Sequence, residues 1–367
     1  MLGTSAGGTG AHVAMLAEGC AHGGEAVTVF APAATWAAVG SAPAMDTPPV
    51  AFRQLEIAAR PRPARDLAAV LRLRRLLRSS APDVVHAHGL RAGALAALAV
   101  PRHTVLVVTV HNAPPAGGGA GLVYSLLERI AARRADAVTW VSADLAARML
   151  RRGARDGGRA LVPAPPAGEP SAADVAKARA DLGGNGRPVV LAAGRLAAQK
   201  GFGVLLAAAA DWQDRDPPPV LAIAGEGPLA GALADQASAA RLTVRFLGQR
   251  TDVPALLAAA DVVVVPSLWE GQPLIVQEAM RAGRPLVAAR VGGIPELTGE
   301  DGAMLVPPAD AGALAAAVLS VLADPRRAAE LGSAARRRAA GLPSVPSAVD
   351  AVLGLYQRLL TRQAGRP

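Results

Sequence analysis

A chain of 367 residues, 51% apolar and 3% aromatic, with a formal charge of +9 and one cysteine, is long enough for two domains that each bury a core. No uncharged apolar run reaches the ~18 to 20 residues of a membrane span. The longest, between Asp310 and Asp324, reads as a buried helix. Cys20 alone excludes an internal disulfide. Gly3 to Gly10 is glycine-rich where a secretory leader is apolar, so a cytoplasmic protein is expected. The basic residues include only two lysines, Lys177 and Lys200. Up to Glu169 there are 18 arginines against 11 acidic residues; beyond it, 20 basic against 18 acidic. A basic first half suits an anionic partner, either a phosphorylated acceptor or a lipid headgroup surface on the inner membrane face. A solvated helix face carrying Arg72, Arg74, Arg75 and Arg78 is the plainer reading. Without interleaved aromatics, nucleic acid is not expected.

Short β-branched runs alternate with alanine-rich helical stretches, the pattern of parallel sheets with crossover helices. Strands are predicted at 26–31, 83–87, 104–110 and 137–141, with helices at 11–21, 64–78, 91–99 and 121–134. Prolines between Pro163 and Pro170 and glycines from Gly183 to Gly186 mark a linker, set at 166–187, around one short helix. A second alternating series follows, with strands at 188–193, 220–225, 243–247, 261–266, 285–289 and 304–306. The expected domains are 1–165 and 188–345, with a final helix in 346–367. The strand that should precede Gly7 and Gly8 has only residues 1–6 available and looks truncated, which favours a start upstream of Met1.

The strongest chemical cluster runs from Asp261 to Met280. A buried strand ends at Pro266, a loop carries Glu270 and Gly271, and Pro273 suits a helix start. Open α/β sheets bind ligands at the carboxyl ends of their strands. Free backbone N–H groups at the helix start, in the stretch Gln272, Pro273, Leu274 and Ile275 (Pro273 itself has none), would attract a phosphate. Glu278, inside that helix, suits vicinal ribose hydroxyls, and Glu270 suits sugar hydroxyls. After the strand at 188–193 come Arg195 and Lys200, cations for a departing nucleotide diphosphate with no metal.

These residues resemble the motifs of glycosyltransferase family 4, the large retaining family of the GT-B fold. Glu270 and Glu278 match its paired glutamates, and Arg195 with Lys200 its basic pair. Gly225-Glu226-Gly227-Pro228, Phe246-Leu247-Gly248 and Gly292-Gly293-Ile294-Pro295-Glu296 also match. In the first half, the segments 7–13, 83–89 and 109–112 look like its acceptor-domain motifs. The resemblance implies two doubly wound Rossmann-like domains facing a cleft and a final helix packed back on the first. It implies a UDP- or GDP-sugar donor and no metal or other cofactor. Gly7 and Gly8 would approach the donor phosphate, His111 would face the transferring sugar, and Arg250 would set its backbone at the base. One position departs: Gly10 stands where many relatives hold an acceptor with a polar side chain, so acceptor identity cannot be borrowed.

Other signals are weaker. His86 and His88 share a strand face, but no third ligand has metal-site spacing, and His88 reads as lining the acceptor side of the cleft. Asp214-Arg215-Asp216 mimics the acidic motif of metal-dependent transferases but precedes three prolines, as a surface turn would. Gly225, Gly227 and Gly231 miss the dinucleotide spacing by one residue. Two glutamates at the edge of one helix leave no place for a glycosidic bond between them, which argues against a glycosidase. A sugar-nucleotide epimerase and a non-catalytic nucleotide-sugar binder remain as rivals.

Overall fold

The computed structural model describes residues 1–4, 7–39, 50–58, 61–113, 118–213 and 215–365. They divide into two compact units, residues 1–163 with 343–367, and residues 164–342.

In the first unit the strands are β1 (Thr28–Ala31), β2 (Ala51–Gln54), β3 (Val84–His88), β4 (Val105–Val110), β5 (Ala137–Trp140) and β6 (Gly157–Arg159). All pair in parallel, β1 with β2 and then β3-β4-β5-β6. Strand β4, Val-Leu-Val-Val-Thr-Val, is buried along its whole length, as expected where helices cover both faces. Among the described residues of the 1–6 stretch, Leu2 makes an isolated parallel bridge, to His88. Its amide donates to Phe30 O at 2.8 Å, and Met1 O accepts from His88 N at 2.9 Å, so these two residues stitch β1 to β3.

The last helix, Val345–Ala364, belongs to this unit. A serine capping box at Ser344 and Ser347 starts it. Val349 packs with Leu16 and Cys20 on helix Gly8–His22. A Cβ on Gly19 would lie 2.2 Å from Val349 Cγ2, so glycine lets the two helices approach. Leu359 packs with Val105, Val107 and Ala137. Burial raises the Cys20 thiol to about 11, which keeps it a core group.

The second unit holds one six-stranded parallel sheet, ordered β12-β11-β10-β7-β8-β9. Its strands are β7 (Val189–Ala193), β8 (Val220–Ala224), β9 (Val244–Phe246), β10 (Val262–Val265), β11 (Leu286–Ala289) and β12 (Met304–Val306). The order reverses between β7 and β10, the switch point where a doubly wound sheet opens a ligand crevice at its carboxyl edge. The apolar run after Asp310 forms helix Ala311–Ala323, which buries Leu314, Val318 and Val321 against the sheet.

The expected linker at 166–187 is corrected by the structure. From Ala164 onward the chain is part of the second unit. Helix Ala172–Asp181 buries Ala178, and the following Leu182 is fully buried in that unit's core. Arg179 fixes the helix through Asp261 at 2.6 Å, Ala259 O at 2.7 Å and Arg187 O at 2.8 Å. The prolines and glycines punctuate the segment without freeing it.

Packing of the last helix generates a stability prediction. Leu359→Ala should cost about 2–5 kcal/mol, since Leu359 is 3% exposed and the site cannot collapse fully. Leu122→Ala, at a position 76% exposed, should stay within about 0.5 kcal/mol of wild type. Denaturant midpoints of the full chain measure both.

Candidate active site

The loops at the carboxyl ends of β7, β8, β10 and β11 fit together through glycines that no other residue can replace. A Cβ on Gly225 (φ +140°) would meet Gly194 O at 1.9 Å, and one on Gly201 (φ +67°) would meet Pro266 O at 2.0 Å. A Cβ on Gly292 (φ +50°) would meet Glu270 O at 1.7 Å. The motif glycines are therefore spacers between backbones.

Within that frame the β7 and β10 loops are joined by hydrogen bonds. Leu268 N donates to Gln199 O at 2.8 Å, and Gln199 Nε2 donates to Trp269 O at 2.9 Å. Lys200 Nζ meets Glu270 Oε1 at 2.5 Å, and Ser267 Oγ donates to the same oxygen at 2.7 Å. Glu270 is 5% exposed, so its charge is held inside the unit by these two donors. Lys200 is 26% exposed at its side chain and has donors to spare. Arg195 is exposed and pairs with none of the described residues. The pair expected to serve the phosphate thus divides: one cation stands free and the other is tied to the glutamate expected to serve the sugar.

Helix Leu274–Arg281 follows, with Pro273 at its N-cap and no side chain capping its first amides. The helix begins one residue later than the sequence suggested. Gly271 and Pro273 are buried; Gln272, Leu274 and Ile275 are half-buried. Glu278 is half-buried too, and burial raises its carboxyl above the usual range, with Arg281 opposing. Among the described residues its side chain has no hydrogen-bond partner. Gln277, one residue before it, is fully buried and accepts from Ala164 N at 2.9 Å. Arg281 donates to Ala164 O and Pro165 O, each at 2.9 Å. Arg250, expected through its backbone, has its side chain engaged by Asp252 and Asp181 at 2.6–2.8 Å, and these partners raise its pKa.

In the first unit Gly7 (φ +89°) caps helix Gly8–His22, where no side-chain cap is present and Gly10 is buried. His88 ends β3, and His111 directly follows β4. Their rings meet, with Nδ1 of His88 3.2 Å from Nε2 of His111. His12, which sequence reasoning did not single out as a functional residue, stands edge-on to both, at ring separations of 5.6 and 5.3 Å. His86 stacks on His88 at 4.1 Å and has both nitrogens engaged, by Tyr356 Oη and Thr109 Oγ1, each at 2.6 Å. Burial first of all lowers the pKa of all four imidazoles, His12 to about 4, so they are neutral at pH 7. Local spacing offered no third ligand beside His86 and His88; helix 8–22 and the β4 end bring the His12 and His111 rings to His88 from far away in sequence. Ser267 was also missed; its only sequence signal is its place three residues before Glu270.

Of the Asp214 motif, Asp214 lies outside the described residues, while Arg215 and Asp216 are exposed. Gly231 has open space around it on helix Ala230–Ala239 and takes no part in the loop contacts.

Comparison with known proteins meets this geometry. Residues 187–324 match the family model for glycosyl transferases group 1, and residues 7–165 match a glycosyl transferase 4-like domain. The chain is 36% identical over 288 residues to the glycogen synthase of Mycobacterium tuberculosis, covering 74% of this chain and 68% of that protein. It is 32% identical over 321 residues to the alpha-maltose-1-phosphate synthase of Mycolicibacterium smegmatis, covering 77% and 80%. The chain belongs to the family 4, group 1 glycosyltransferases. As a glycosyltransferase of GT-B type it shares its fold with Anabaena HepE, crystallised in complex with UDP-glucose, at a TM-score of 0.80 and 22% identity over 97% of this chain and 98% of that one. Both units are accordingly Rossmann-like.

The unpartnered Glu278 carboxylate generates a prediction. Its folded pKa is raised, so ionisation costs stability: the penalty is absent in acid and grows as pH rises through the folded pKa. Glu278→Gln should therefore raise the thermal midpoint at pH 8, and the gain should shrink toward zero by pH 4. Melting curves at the two pH values measure it.

Proposed function

We propose that this glycosyltransferase moves a sugar from a UDP- or GDP-sugar with retention of anomeric configuration, and that protein groups alone, without a metal, hold the diphosphate. The observation that carries this reading is the Lys200–Glu270–Ser267 contact beside an uncapped helix start and an unpartnered Glu278. Each part answers one portion of such a donor. Glu278 accepts from ribose hydroxyls, which would satisfy a carboxylate that burial now penalises. The amides of Leu274 and Ile275 meet a phosphate oxygen. Arg195 offers a fork of donors and Lys200 a point charge to the leaving diphosphate. Glu270, already oriented by Ser267, accepts from hydroxyls of the sugar.

Charge on the leaving phosphate oxygen grows as the glycosidic bond to it breaks, so a cation placed there contributes more in the transition state than in the ground state. In a same-face transfer that oxygen also takes the proton of the attacking acceptor hydroxyl. From the first unit, Gly7 and Gly8 serve the phosphate, His111 the transferring sugar, and Gly10 and His88 the acceptor side. Similarity to a protein crystallised with UDP-glucose supports a nucleotide-sugar donor. An anionic or lipid-linked acceptor is supported by helix Pro63–Ser80, whose exposed side includes Leu67 and Leu71 beside Arg72 and Arg75. The same face suits peripheral contact with an anionic membrane; no helix among the described residues is long and apolar enough to cross one.

Lys200→Ala should lower turnover by roughly 10²–10³-fold while weakening donor binding much less, since its partner gains charge only as the bond breaks. Wild-type turnover should persist in excess EDTA. Activity lost to the chelator and restored by manganese would overturn the metal-free reading; loss of donor affinity with unchanged turnover would overturn the role of Lys200.

A further inference from the structure

The first unit contains a histidine constellation in which the transfer reading uses His88 and His111 and leaves His12 unexplained. His12, His88 and His111 come from helix 8–22, the end of β3 and the residue after β4, and one ring nitrogen from each lies within 4.8 Å of the others. All three are buried, at 5–6% exposure. His12 Nε2 is 2.9 Å from Leu161 O, and a carbonyl only accepts, so the proton resides on Nε2 and Nδ1 presents a bare lone pair. That Nδ1 is buried with no hydrogen-bond partner among the described residues. A buried acceptor without a donor costs free energy, so a native structure that keeps one needs a reason.

A cation supplies that reason. We infer that His12, His88 and His111 form a binding site for a borderline divalent transition ion of the zinc class, with its fourth position open. Three imidazoles and one open position are a set that zinc accepts. Tetrahedral bonds of ~2.0–2.1 Å place two ligand nitrogens ~3.3 Å apart, and Nδ1 of His88 stands 3.2 Å from Nε2 of His111. The proton shared across that contact moves to the other nitrogen of its own ring, leaving both lone pairs for the ion. The outer shell is built as well. Leu161 O fixes the His12 tautomer, in the way that carbonyls orient metal-bound histidines. His86, held on both nitrogens and stacked on His88, fixes the His88 ring. His86 has no nitrogen to spare and stays outside the ligand set.

The site does not rest on the donor reading. Combined with it, an ion there occupies the lone pair of His111 and should inhibit transfer.

The test strips the full chain with chelator, removes the chelator, and titrates zinc against a chromophoric zinc indicator. One ion per chain is expected, and cobalt in its place should give the visible absorption of a four-coordinate site. His12→Ala should weaken zinc binding by more than the roughly 10- to 100-fold that loss of an outer-shell partner costs. A chain lacking the exposed pair, His22→Ala with His103→Ala, should bind as wild type, which keeps the test decisive if His12→Ala folds poorly. No stoichiometric zinc in the wild type, or binding lost with the exposed pair, would overturn the site. Zinc bound at the site without inhibiting transfer would confirm it and instead overturn the role given to His111.

Discussion

The ion pair between Lys200 and Glu270 is the contact on which the donor half depends. A carboxylate as buried as Glu270 keeps its charge only when hydrogen-bonded and paired, and removing one partner of such a pair is far costlier than never having built it. Its two donors come from separate loops, Lys200 after β7 and Ser267 after β10, so the pair can exist only if those loops are in register. The backbone bond from Leu268 to Gln199 and the close approach of Gly201 to Pro266 secure that register. On the other side, Gly293 N donates to Glu270 O at 3.2 Å, tying in the β11 loop. The sheet order matters here because β7 and β10 are the neighbours at the switch point.

The candidate sites of the two units hold their polar groups by opposite means. In the second, buried charge is compensated by charge at Glu270, and a carboxylate at Glu278 is left short of partners. In the first, burial has discharged the histidines, which are satisfied by one another, by hydroxyls and by a carbonyl, except at Nδ1 of His12. Groups left short of partners mark where a ligand completes the hydrogen bonding. By that criterion Glu278 and His12 are two such places among the described residues.

Much of this was legible in the sequence, and the exceptions have physical causes. Strands such as β4 and β10 are continuous apolar runs because parallel strands are buried on both faces, and their limits were read to within one residue. The edge strands β2, Ala-Phe-Arg-Gln, and β6, Gly-Gly-Arg, carry no such run, since none of their residues is fully buried, and they went unread. At the site, Arg195, Lys200, Glu270 and Glu278 stood out by spacing. That Lys200 would rest on Glu270 did not, because 70 residues separate them and only the β7–β10 pairing brings them together. The histidine cluster was hidden for the same reason: His12 lies 76 residues from His88 in the chain, and local spacing carries no trace of their contact. The 164–187 segment misled because proline and glycine mark turns equally well in linkers and in packed chain.

The most direct measurement of the central claim is calorimetric binding of UDP and GDP, with and without the attached sugar, to wild type and Glu270→Gln in excess EDTA. If Glu270 shares Lys200 with the diphosphate, removing its charge should tighten binding of the bare nucleotide that the wild type prefers, while the extra affinity contributed by the sugar disappears. Unchanged affinity for the bare nucleotide, together with an undiminished contribution from the sugar, would contradict the account.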